Sequence, residues 1–254
     1  MLNKIRIVYW LISKQYYLHL LISSIFFLKK KLIKEINDKE NLSHNKARKI
    51  CHKLSIKKKK IYDYFLRLKN IENYQIKKNF LKNLKISKKN RLGGGSDTEF
   101  IYNLILILKP KNVIEFGVAN GWSTLSILEG LKRNNLGKLI SIDMPYYFDN
   151  SQLNLGILLK KKKYKNWTLL LEPQVNFFFR MSNKKFDFCH YDSDKSYQGR
   201  MFAYNKIWKN LKKNGVFLSD DISDNMAYFD FCKIRKKKPF IIKYKNKFLG
   251  LTVK

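Results

Sequence analysis

The sequence predicts an α/β fold: a mostly parallel sheet covered by helices on both faces, with an N-terminal helical extension. Three observations carry this. From residue 112 on, short apolar runs alternate with helical stretches, the order that builds a parallel sheet. The last run, PFIIKYKNKFLGLTV (239–253), splits around Lys245–Asn246 and reads as a hairpin, so the sheet closes with an antiparallel strand. Over 30–90, Lys-rich turns separate apolar residues at helical spacing, such as Ile61, Tyr64, Phe65 and Leu68.

In chain order, residues 5–28 are mostly apolar but carry Arg6, Lys14, Gln15 and His19. Their clean run, Tyr16 to Leu28, is 13 residues against the roughly 20 a spanning helix needs. KKKLIK follows, where a secretory signal would want small residues at a cleavage site. This predicts an interfacial helix resting on a membrane surface, or equally a helix packed on its own domain. Two or three amphipathic helices fill 30–90, with Lys57–Lys60 as a solvated face. Residues 1–90 thus form a basic helical extension, and 91–254 the α/β domain.

At RLGGGSDTEF the texture changes. Gly93–Gly95 predict a hinge, and Ser96 with Glu99 a capping box. The helix through IYNLILILK should stop before Pro110. Strands are expected at NVIEF (112–116), KLISID (138–143), WTLLL (167–171), FDFCHY (186–191) and VFLSD (216–220). Helices are expected at Ser123–Arg133 and near 151–163, 174–182 and 196–212.

The formal charge is +34, from 53 Lys+Arg against 19 Asp+Glu. Such an excess suits anionic partners: nucleic acid, acidic glycans or an anionic membrane. Only 8 of the basic residues are Arg, however, and Arg supplies the bidentate fork of specific phosphate recognition. The abundance of Lys, Asn and Ile also fits an A/T-rich coding sequence. Nucleic acid is therefore not the expected partner; a small molecule or glycan is, with self-association left open. Cys51, Cys189 and Cys232 form no CxxC pair and suit buried thiols in a reducing, cytoplasmic compartment. No Cys–His spacing suggests zinc.

In an open parallel sheet, ligands bind beyond the carboxyl ends of strands. EFGVANGWS (115–123) follows the first strand and opens a helix. Gly117 allows a tight turn, Gly121 lets a ligand approach the backbone, and the helix start offers free N–H groups. Asp143 ends the next strand, 26 residues after Gly117, where an acid can accept both hydroxyls of a ribose. Together they predict an adenosine-containing cofactor; Asp143 as a turn or capping acid is the plainer reading. Asp192 lies just past one strand and Asp220–Asp221 at the end of the next. Their carboxylates would repel if unpaired, and an oxygen-only donor set favours Mg²⁺, Mn²⁺ or Ca²⁺. Pairing with Lys195 or Arg200, or capping of the helix near Ser196, is the alternative.

The strings VIEFGVANGWSTLSI, LISIDMP, FDFCHYDSDKSYQGR and LKKNGVFLSDDI resemble class I S-adenosylmethionine-dependent methyltransferases. The nearest branch is the bacterial DSDHSY-motif group, with metal-dependent sugar O-methyltransferases and cephalosporin hydroxylase-like relatives. Resemblance covers about 91–254. It implies a Rossmann-like sheet of seven strands in the order 3-2-1-4-5-7-6. It implies that Glu115, Gly117, Ala119, Gly121 and Ser123 line the methionine end of S-adenosylmethionine and that Asp143 holds the ribose. Asp192, Asp220 and Asp221 become the metal ligands, for Mg²⁺ first. Two positions depart from the pattern. Lys195 stands where metal-dependent members carry a histidine base; among carboxylates it should stay protonated, so it would orient an anionic substrate while Asp192, His190 or Asp194 served the chemistry. LEPQ (171–174) stands where relatives have Gly–Asp, leaving Glu172 to meet the adenine.

The expected reaction is O-methylation of a sugar or polyol hydroxyl with metal assistance. Two other readings remain: a glycosyltransferase using Asp192-Ser193-Asp194 as a DxD motif, or an inactive cofactor-binding protein, for which Lys195 is the support. An RNA methyltransferase ranks lower, for want of an aromatic-interleaved basic platform.

Overall fold

The computed structural model describes residues 43–78, 95–144, 155–159, 164–180 and 184–254. The expected N-terminal apolar helix (5–28), Gly93 and Gly94 lie outside these residues, as does most of the expected 151–163 helix. No helix among the described residues is long and apolar enough to cross a membrane.

The chain order is α1 (43–54), β1 (Ser55–Ile56), α2 (Lys58–Leu68), α3 (Thr98–Leu108), β2 (Asn112–Phe116), α4 (Trp122–Asn134), β3 (Lys138–Asp143), β4 (Trp167–Leu171), α5 (Gln174–Arg180), β5 (Phe186–Tyr191), α6 (Tyr197–Asn210), β6 (Leu211–Ser219), α7 (Ala227–Ile234), β7 (Phe240–Tyr244) and β8 (Lys247–Val253). All eight strands share one sheet in the order β1-β7-β8-β6-β5-β2-β3-β4. The expected count of seven is corrected to eight. The added strand, Ser55–Ile56, pairs parallel to Ile241–Ile242 from inside the expected helical extension. Counted from Asn112, the other seven strands lie in the order 3-2-1-4-5-7-6. Pairing is antiparallel at β6–β8 and β7–β8 and parallel elsewhere.

Strand alternation sorts the core into two layers. In β2, Ile114 and Phe116 point into a layer with Phe177, Tyr204 and Phe231 of α5, α6 and α7 and with Phe217 of β6. Val113 points the other way, to Leu104, Leu125 and Leu128 of α3 and α4. Burying each such side chain contributes about 1.5–3 kcal/mol. The described part of the extension belongs to these layers. Cys51 of α1 joins the first, and Ile61 and Phe65 of α2 join the second.

Two local expectations are corrected. The cap of α3 is Asp97, whose carboxylate accepts the Phe100 N–H at 3.1 Å; Ser96 is not the cap. The acid also pairs with Lys58, which draws α2 onto the start of α3. Helix α7 was not anticipated, because its run AYFDFCKI follows the acidic turn without a Gly or Pro signal.

Candidate functional site

Each strand tip is laced to its neighbour by one backbone bond. Glu172 N–H donates to Asp143 O at 2.9 Å, and Gly117 N–H to Ile142 O at 2.8 Å. Asp192 N–H donates to Phe116 O at 2.8 Å, and Asp220 N–H to Tyr191 O at 2.9 Å. Parallel pairing in this register brings Glu172, Asp143, Gly117, Asp192 and Asp220 into one row at the carboxyl edge.

The turn after β2 is built on Asp143. Its Oδ2 accepts the N–H groups of Val118 at 2.7 Å and Ala119 at 2.9 Å, and its Oδ1 that of Met144 at 2.7 Å. Burial raises its pKa, and these three N–H groups oppose the rise. Gly117 (φ 91°) and Gly121 (φ 89°) adopt left-handed backbone, and Ala119 does so at φ 46°. A Cβ on Gly117 would lie 2.1 Å from the Asp192 carbonyl oxygen. The glycine turn and the acidic loop therefore touch backbone to backbone. Gly121 caps α4, and Ser123 is buried in that helix's first turn. At the far end, Glu172 is half-buried and its carboxylate pairs with Arg180 of α5.

Glu115 sits below the turn rather than in it. It is fully buried, and its Oε2 accepts the hydroxyls of Thr124 at 2.7 Å and Ser141 at 2.8 Å. Trp167 Nε1 donates on to Ser141 Oγ at 3.0 Å. Its other oxygen lies 3.4 Å from Nδ1 of His190, its register partner on β5. Burial alone would lower the His190 pKa; Glu115 overcomes this and raises it. His190, expected among the catalytic residues, is 0 % exposed and lies against Glu115.

The acidic loops form the second half of the site. Lys195 Nζ pairs with Asp192 and lies 2.9 Å from Asp221 Oδ2. Lys247, from the hairpin, lies 3.1 Å from Asp221 Oδ1. Burial would lower both lysine pKa values, but the surrounding carboxylates raise them, so both ammonium groups stay charged. The Asp192 carboxyl is held below its usual range: burial would raise it, and Lys195 reverses that. Asp220 moves the other way, to about 6, from burial and then from Asp192 and Asp221. Its Oδ1 accepts the Asp221 N–H at 2.8 Å, while its buried Oδ2 has no partner among the described residues. Asp221 occupies left-handed backbone at φ 51°, which an aspartate tolerates and a β-branched residue would not. Buried Arg200 fixes this turn, donating to Asp221 O at 2.9 Å and Asp224 Oδ2 at 3.1 Å.

Asp194 takes no part in the cluster. Its Oδ1 accepts the Ser196 N–H at 2.9 Å at the start of α6. Asp192 and Asp194 thus have different partners. Among the described residues, no three His, Cys, Asp or Glu side chains are grouped as a metal cage. The donor chemistry nonetheless fits a hard cation: all three acids offer oxygen, and Asp220 Oδ2 is an orphaned acceptor. Sequence reasoning missed Lys247, whose signal was only its place beside a hairpin turn.

Residues 114–222 match the family model described as a methyltransferase domain. The chain carries a methyltransferase domain. Its enzyme class is the S-adenosylmethionine-dependent methyltransferases, in keeping with the Gly117 turn and Asp143. No curated protein sequence matches the chain. Among solved structures, a candidate caffeoyl-CoA O-methyltransferase from Staphylococcus aureus superposes with TM-score 0.56 at 13% identity, covering 76% of this chain and 99% of that one. The O-methyltransferase from Bacillus cereus in complex with SAH gives 0.52 at 13% identity, covering 85% and 100%. The SAH-bound Podospora anserina methyltransferase gives 0.51 at 13% identity, covering 83% and 94%. At these identities the likeness speaks for the fold of the methyltransferase domain.

Proposed function

We propose that the methyltransferase domain transfers the methyl group of S-adenosylmethionine to a hydroxyl of a sugar or polyol, assisted by a divalent cation. The observation that carries this is the backbone contact of Gly117 with Asp192, which sets the cofactor turn against the acidic cluster. A cofactor over the first and an acceptor over the second would meet along one line, as in-line displacement requires.

The turn's N–H groups and Ser123 would hold the methionine end, Asp143 the ribose, and Glu172 would border the adenine. Glu115 and His190 act from beneath, by holding α4 and the turn in place. Lys195 and Lys247 keep the acids apart in charge and orient the acceptor. Asp192, Asp220 and Asp221 would hold the cation, which when bound lowers the pKa of a coordinated hydroxyl. The resemblance to the DSDHSY-motif group and the metal-dependent sugar enzymes within it supports this acceptor class. Buried, unbridged cysteines support a reducing, cytoplasmic setting.

The test is transfer of labelled methyl from S-adenosylmethionine to a panel of sugars, with and without Mg²⁺. Labelled O-methyl sugar that depends on Asp192 supports the reading. Cofactor binding with no transfer to any acceptor favours an inactive binding protein, and absence of cofactor binding overturns both.

A further inference from the structure

We propose that the acceptor carries a phosphate or pyrophosphate group and that the basic face of α1 receives it; this rests on the methyl-transfer reading above. Asn45, Arg48, Lys49, His52 and Lys53 line a shallow, open face of α1. All five are exposed, and residues 43–54 contain no acid. The opposite side of the helix is locked in the core, with Ala47 and Cys51 both at 0 % exposure. The basic face is thus fixed in direction, not a freely turning charge run.

Both ends of α1 are tied to the elements that carry the acidic cluster. Ser43 Oγ accepts the Met226 N–H at 2.8 Å, and His44 Nδ1 lies 3.3 Å from Asp224 O. Those partners belong to the loop that begins at Asp220–Asp221. The His52 ring meets Phe248 edge-on with centroids 4.9 Å apart. Phe248 follows Lys247, whose ammonium binds Asp221. A ligand anchored along α1 therefore ends beside the site where methyl would be received.

The chemistry favours phosphate over a lone carboxylate. Arg48 is one of 8 arginines among 53 basic residues, and its fork binds phosphate oxygens in pairs. Lys49 and Lys53, four residues apart, share one helix face and can meet a second phosphate. A pyrophosphate can come from a nucleotide-linked sugar or from a lipid-linked one.

The experiment is calorimetric titration of the full chain with inorganic pyrophosphate at physiological salt. It compares the wild type, the Arg48→Ala/Lys49→Ala/Lys53→Ala variant and a charge-matched control, Lys233→Ala/Lys236→Ala/Lys238→Ala, all exposed. The α1 variant should bind at least about tenfold more weakly and the control within about twofold. Arg48→Gln alone should move the same way by less. UDP-glucose and geranyl pyrophosphate then separate the two sources, and tighter binding than bare pyrophosphate by either supports the proposal. Equal weakening in both triple variants, or no pyrophosphate binding by the wild type, overturns it. S-adenosylmethionine is titrated in parallel; its failure to bind would sink the methyl-transfer reading and leave the pyrophosphate result standing on its own.

Discussion

Lys195 Nζ lies 2.9 Å from Asp221 Oδ2 while pairing with Asp192, so one ammonium group bridges the loops that follow β5 and β6. The bridge neutralises two of the three crowded carboxylates, Asp192 and Asp221, and leaves Asp220 raised by burial and by both. It also occupies oxygens that a cation would use.

Competition between Lys195 and a cation follows. Millimolar MgCl₂ should raise the melting temperature of the wild type, and Asp220→Asn should remove that rise. Lys195→Ala should bind Mn²⁺ more tightly, by roughly tenfold, because two acceptors are released. Electron paramagnetic resonance of free Mn²⁺ reads this directly. Unchanged affinity in Lys195→Ala would show that the lysine and the metal do not share a place.

Asp143 holds the glycine turn through three backbone N–H groups. Asp143→Ala leaves those donors unpaired, at about 1–3 kcal/mol each before water enters. Calorimetry should find S-adenosylmethionine binding weakened by at least about a hundredfold, with a lower melting temperature.

Gly117→Ala is expected to be worse than its size suggests. The methyl would meet the Asp192 carbonyl oxygen at 2.1 Å, on backbone with φ 91°. Neither partner is a flexible side-chain tip, so the turn and the acidic loop must separate. Urea unfolding should show a loss of more than about 2 kcal/mol, and cofactor binding should vanish with it.

Glu115 and His190 should couple strongly. Removing one member of a buried pair strands the other, at about 3–5 kcal/mol. Glu115→Gln and His190→Leu should each destabilise severely, and the double variant by clearly less than their sum. Simple additivity in the double-mutant cycle would mean that the two do not act as a pair.

The thiols should be inert in the native state. Burial, with Asp224 adding, pushes the Cys51 pKa up to about 12. Burial raises Cys189 and Cys232 as well. At pH 8 the Cys51 thiolate fraction is then on the order of one in ten thousand, against about one in ten at its ordinary value. Ellman's reagent at pH 8 should label none of the three before denaturant and all three after it.

Much of this molecule was legible from residue order alone. Apolar runs of β-branched and aromatic residues marked the strands from Asn112 on, because a strand buried on both faces must be apolar throughout. Gly117, Asp143, Asp192 and Asp220 could be assigned to strand ends because turns are polar and glycine-bearing. What only the tertiary structure decided is pairing between distant segments. Ser55–Ile56 is a strand because β7 offers it an open edge, and two residues carry no period of their own. His190 reads like a base beside Asp192, yet the register of β5 with β2 sets it on the same sheet face as Glu115 and against it. Lys247 is marked in the sequence only by its place beside a hairpin turn; the hairpin's return across the sheet sets its ammonium on Asp221. Local pattern reports what a segment can be, and contact between segments far apart in the chain settles which charge meets which.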